Sequence, residues 1–131
     1  MVLRQRDLAA REQEEGSKGM TSDDFRRIAL GLDGAVESAH MGHPDFRANG
    51  KIFATIHHDH KWGMIKLTPE QQRKFVQGNA GVFAPENGAW GRAGCTKVRL
   101  DWVDEDTLGE AMTLAWQNTV RKTQTTRRKR F

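Results

Sequence analysis

Apolar residues along this chain recur with two different periods. Phe25, Ile28, Ala29 and Leu32 are spaced i, i+3, i+4, i+7, which gathers them on one face of a helix. Thr21 or Ser22 can cap its start, Asp23 and Asp24 favour its positive end, and Gly31 and Gly34 punctuate its finish. From Asp45 onward the period becomes two. Asp45-Phe46-Arg47 reads as an edge strand after Pro44, and Asn49-Gly50 is a two-residue hairpin turn, because both residues tolerate positive φ. Lys51–Ile56 and Trp62–Leu67 follow as strands around a His57–Lys61 turn, while Ala35–Met41 reads as a connection. Thr68, Pro69 and Gln71 form a capping box with proline at the first helical position, opening a helix to about Gln77 that stops at Gly78. Val82–Ala84 is a short strand and Glu86–Gly94 a glycine-rich loop. Cys95–Trp102 is a long strand with Thr96, Val98, Leu100 and Trp102 on one face. Asp104, Glu105 and Asp106 open a last helix whose apolar stripe is Leu108, Ala111, Met112, Ala115, Trp116 and Thr119.

The order α-β-β-β-α-β-β-α, with strands joined by tight turns, predicts an α+β fold. It has two layers: an antiparallel sheet of about five strands, with helices on one face. The 131 residues suit one domain, read as a polar extension (1–19), a domain (20–122) and a basic tail (123–131). Met20 stands directly before a strong helix start and reads as a candidate translation start, with the leader an extension.

Charge refines this picture. The net charge is +4. Residues 121–131 hold six basic side chains and no acid, and residues 1–19 hold four of each sign. Removing both segments from 21 basic and 17 acidic residues leaves 11 and 13, so residues 20–120 carry a net −2. The basic character belongs to the tail, not to the domain. One cysteine, Cys95, allows no internal disulfide, and no run of apolar residues has membrane-spanning length. These features predict a cytoplasmic monomer without a membrane segment.

Helices on one face leave the other open. Ile52, Ala54, Ile56, Ile65, Leu67, Val98 and Leu100 are expected on the covered side. Lys51, Phe53, Thr55, Trp62, Met64, Lys66, Lys97 and Arg99 are expected on the open side. Two readings of that face stand: a nucleic-acid platform of cations and rings, and a half-solvated sheet surface.

The chemistry-bearing residues cluster in His40–Leu67, which holds all five histidines. His57-His58-Asp59-His60 has ligand-type residues, but side chains this close in a turn rarely converge on one tetrahedral site; a solvated turn is expected, and no metal. His43 and Asp45 are a candidate orienting pair. Cys95 begins a strand and reads as a small buried residue, not as a nucleophile. Gly88–Gly94 leads into a strand and therefore lacks the helix dipole of a phosphate loop; it presents Trp90 and Arg92. Trp90 is either an exposed contact or a core plug. Trp102 and Trp116 fall on apolar faces and are expected in the core.

The segments GHPDFRANGKIFATI, WGMIKLTPEQ and GAWGRAGCTKVRL, followed by the Trp-containing AWQNTV, resemble the MmcQ/YjbR family over residues 21 to about 122. The resemblance implies a frataxin-like (CyaY-like) double-wing α+β fold, a DNA-binding label, no enzymatic activity and no cofactor. The matching motif positions are His43, Pro44, Asp45, Phe46, Gly50, Lys51, Trp62, Gly63, Lys66, Trp90, Gly91, Thr96 and Arg99. The leading functional expectation is non-enzymatic DNA binding. The residues concerned are Lys51, Lys66, Arg92, Lys97, Arg99, Trp62 and Trp90, with Arg127, Arg128, Lys129 and Arg130 in the tail. The alternative is a small-ligand or protein-binding pocket near His43, Asp45, Trp62 and Trp90. An enzyme would require His43 and Asp45 within hydrogen-bond reach inside a cleft.

Overall fold

The computed structural model describes residues 19–128, with side chains described through Arg121. In chain order the elements are α1 (Ser22–Leu30), β1 (Val36–His40), β2 (His43–Ala48), β3 (Lys51–Ile56), β4 (Trp62–Lys66), α2 (Pro69–Gly78), β5 (Phe83–Pro85), α3 (Gly88–Arg92), β6 (Cys95–Arg99) and α4 (Glu105–Arg128). The six strands form one antiparallel sheet in the order β1-β2-β3-β4-β6-β5.

Local sequence explains most of these elements. Thr21 and Asp24 close a capping box on α1, and Thr68 and Gln71 close one on α2. Asn49 and Gly50 adopt φ of 54° and 77°, which sets the tight β2–β3 turn. Asp104 caps α4 by accepting from the Thr107 amide at 2.7 Å. α4 runs on to Arg128, into the segment read from sequence as a basic tail. Extending a helix already packed on a sheet fixes one residue per added hydrogen bond, so little opposes it. Lys129 and Arg130 lie outside the described residues.

The core is a single cluster between the sheet and the helices. Phe25, Phe46, Phe53, Ile56, Ile65, Val98, Leu108 and Met112 are all fully buried in it. Gly63 makes room for Phe25: a Cβ there would lie 2.5 Å from the Phe25 ring.

Several expectations need correction. The connection Ala35–Met41 contains β1, so the sheet has six strands and Asp45-Phe46-Arg47 is interior. All five β1 residues are exposed, so no apolar alternation marks the strand. Phe53 is in the core, not on the open face. Phe46 pairs with Ala54 and Arg47 with Ile52, so Phe53 is the extra residue of a β-bulge. The bulge turns both Phe53 and Ala54 inward and aligns Ile52 with Arg47. Trp102 is 54% exposed because β6 ends at Arg99. Turn hydrogen bonds from the Trp102 and Val103 amides to the Arg99 carbonyl then bury Val103 in its place. Finally, Gly88–Arg92 is a short helix, not a loop. Trp116 is only half-buried and donates its Nε1–H to the Asp33 carbonyl at 2.9 Å.

Candidate functional site

Cross-strand partners share a face, so the register lays out the open side of the sheet. One row runs Ser38, Asp45, Thr55, Met64, Lys97, Ala84. Above the middle of this row is a cavity of about 400 Å³ lined by His40, His43, Thr55, His57, Met64, Glu86, Asn87, Trp90 and Cys95. Thr55 and Met64 are its floor, the histidines are one wall, and the β5–α3 segment is the other.

The histidine wall is built on a buried carboxylate. Asp45 has no solvent exposure. It accepts from Arg47 Nε at 2.8 Å and Nη2 at 3.0 Å, and its second oxygen lies 2.7 Å from His40 Nδ1. The Arg47 hydrogen bonds hold its carboxyl below the usual range against the opposing effect of burial, with His40 adding to the depression. A carboxylate can only accept, so His40 donates Nδ1–H, and its Nε2 points away from the buried acid. His43 packs against His58 with ring centroids 3.8 Å apart and planes tilted by 44°, and His40 lies 5.8 Å from His43. His57 Nε2 is 2.9 Å from Glu86, which ties the histidine wall to the opposite one.

Close backbone approach positions the roof. Gly91 packs against the chain at Glu86, where a Cβ would meet the Glu86 carbonyl oxygen at 1.8 Å. Buried Gln72 donates through Nε2 to the Gly91 and Cys95 carbonyls at 3.1 and 3.0 Å. α2 thereby anchors α3, and α3 holds Trp90 over the cavity at 67% exposure. Cys95 is buried, and desolvation pushes its thiol above the ordinary range, so it stays protonated at neutral pH.

The residues expected to contact nucleic acid are dispersed. Lys66, Lys97 and Arg99 do project from the open face, and Arg92 is exposed on α3. Lys51 is exposed at the far hairpin, opposite buried Ala48. Trp62 does not line the cavity. Lys97 Nζ sits 5.2 Å from its ring centroid and Arg99 Cζ 5.8 Å, so protein cations occupy the ring. Arg99 also covers Trp102 at 4.0 Å and pairs with Asp101 at 3.2 Å. Arg127 and Arg128 fall in the last turns of α4, beyond the described side chains, and Lys129 and Arg130 lie outside the described residues.

Of the pocket residues expected from sequence, His43 and Trp90 line the cavity, Asp45 supports it from beneath, and Trp62 is outside it. The orienting partner of Asp45 is His40, not His43. His40, His57 and Glu86 were missed. The pairing of β1 with β2 brings His40 opposite His43, and β1 carries no pattern that announces a strand. Among the described residues no group of three or more histidine, cysteine or acidic side chains is placed to hold a metal ion, and no helix is long and apolar enough to cross a membrane.

These features define a two-layer α+β protein with a histidine-walled cavity on its open sheet face. The YjbR family model matches residues 30–118, and the chain belongs to that family. Its fold is similar to that of the Deinococcus radiodurans protein DR2400, which carries a DUF419 domain. The TM-score is 0.69 at 20% identity, covering 79% of this chain and 81% of that one. No curated protein matches the chain.

Proposed function

We propose that this YjbR-family protein is a non-enzymatic small-molecule-binding module and that the open-face cavity is its site. The observation that carries this reading is the convergence of His40, His43 and His57 with Trp90 on one concave space of about 400 Å³. That volume falls in the ordinary range of ligand pockets, and a mostly apolar lining with a few fixed polar groups is their usual construction. Burial pushes the Cys95 thiol up, so the wall supplies no thiolate nucleophile. The uncharged fluorophore N-phenyl-1-naphthylamine tests it. Saturable one-to-one binding, weakened at least tenfold by Met64→Trp, is expected. No saturable signal, or a signal indifferent to Met64→Trp, would overturn the reading.

A second reading, DNA association, is supported by Lys66, Lys97 and Arg99 sharing the open face. It draws its phosphate affinity from these and from the basic C-terminal segment. Against it, the stacking surface of Trp62 is already taken by cations. A frataxin-like iron role has no support in α1: Asp23 pairs with Arg26 at 2.7 Å and Asp24 with Arg27 at 3.4 Å.

A further inference from the structure

The cavity has a chemical preference of its own. Glu86 is the one ionic side chain in its lining; Asp45 and Arg47 lie beneath His40, and Lys66 and Lys97 stand on the floor strands outside the lining. Both carboxylates are engaged, Asp45 with Arg47 and His40, and Glu86 with His57. Neither is free to recruit a cationic ligand.

His40 gives the site direction. Its Nδ1–H is committed to Asp45 at 2.7 Å. Asp45 is fully buried whereas the His40 side chain is 42% exposed, so the ring turns Nε2 outward, beside the floor. Protonation makes that nitrogen a charged donor. The ring shares its surroundings with His43 on β2, His57 and His58 at the β3–β4 turn, and Glu86, whose charges also enter any pH dependence. Met64 below and Trp90 above bracket a space suited to a flat ring, since a thioether and an indole both favour aromatic contacts.

We propose that the cavity binds an aromatic monoanion, an aryl carboxylate, with its acidic group on His40 and its ring between Met64 and Trp90. This inference rests on the small-molecule reading of the same cavity. An aryl carboxylate satisfies each feature: the ring lies between Met64 and Trp90, and the carboxylate meets the outward imidazole, whose protonated form pairs with its charge.

The isosteric pair 2-naphthoate and 2-naphthamide separates the two levels of the argument. Both are titrated into the full chain by calorimetry at pH 5.5 and pH 8, where the carboxylic acid is ionised throughout. The carboxylate should bind roughly tenfold more tightly than the amide at pH 5.5, the scale of a charge-assisted hydrogen bond, and this preference should shrink by pH 8. His40→Asn, which keeps a donor to Asp45 but cannot titrate, should abolish both the preference and its pH dependence. If both compounds bind equally at pH 5.5, the cavity stands and the anion preference falls. A preference unchanged in His40→Asn overturns the role of His40. If neither compound binds, the cavity reading itself fails. The pH profile of the unaltered protein decides the matter even if the variant does not fold.

Discussion

His40 Nδ1 lies 2.7 Å from a carboxylate oxygen of fully buried Asp45, and Arg47 grips the same carboxylate by two further hydrogen bonds. Removing a carboxylate from water is costly, and here the cost is offset by partners that satisfy both oxygens. The arrangement fixes one tautomer of an imidazole that lines a cavity. It is a buried charge whose visible consequence is the orientation of its neighbour.

The Asp45 pair should register in acid stability. The folded-state pKa of Asp45 is depressed below its unfolded value of about 3.9. Its contribution is therefore complete above that pH, where both states are ionised. As pH falls, the unfolded chain takes the proton first, and the contribution is lost through the folded pKa. Asp24, Asp59 and Asp104 are depressed as well, so the unaltered protein as a whole loses stability in acid. Asp45→Asn should be less stable at pH 7 and show a shallower acid limb. Urea melts between pH 2 and 7 measure this, and parallel limbs would contradict it.

Gly63 faces Phe25 in the core, with only 2.5 Å available to a Cβ. Gly63→Ala should overpack the sheet against α1 and cost about 1–3 kcal/mol. Thermal unfolding reads the loss. Gly50→Ala has open space around it, so its cost should come from its φ of 77° alone, about 1 kcal/mol.

Gln72 is a buried amide that serves the roof. Gln72→Leu removes the donor to the Gly91 and Cys95 carbonyls and should cost about 1–3 kcal/mol in denaturant melts. It should also weaken N-phenyl-1-naphthylamine binding, because α3 loses its tie to α2. Unchanged probe affinity in a folded variant would show that the roof does not depend on Gln72.

Trp102 gives the reverse expectation. A core tryptophan truncated to alanine costs about 3–5 kcal/mol. Trp102 is 54% exposed, with Arg99 over its ring at 4.0 Å and a glycine, Gly81, beside it, so Trp102→Ala should cost about 1 kcal/mol or less. A loss on the core scale would return this residue to the apolar stripe of β6.

DNA association, where measured, should depend on salt. Engagement of all six cations of residues 121–131 would give a log–log slope of about −5. If Lys97→Ala/Arg99→Ala leaves that affinity intact while removal of residues 121–131 abolishes it, the sheet face takes no part.

The sequence alone determined the starts of α1, α2 and α4 with their caps, the Asn49-Gly50 turn, and the placement of most of the core. Those features rest on contacts within a few residues: a hydroxyl three positions from an amide, a stripe of period 3.6, a turn that requires positive φ. It also placed His43, Asp45 and Trp90 near one another. Tertiary structure decided the rest. β1 is a strand because β2 pairs with it, and its own residues bury nothing. The bulge at Phe53 reverses the alternation at Ile52 through a register shift that only the partner strand defines. Trp102 leaves the core because β6 ends before it. The His40–Asp45 and His57–Glu86 pairs exist only because strands distant in pattern are adjacent in space. A cavity is a property of that adjacency, and periodicity along a chain carries no record of it.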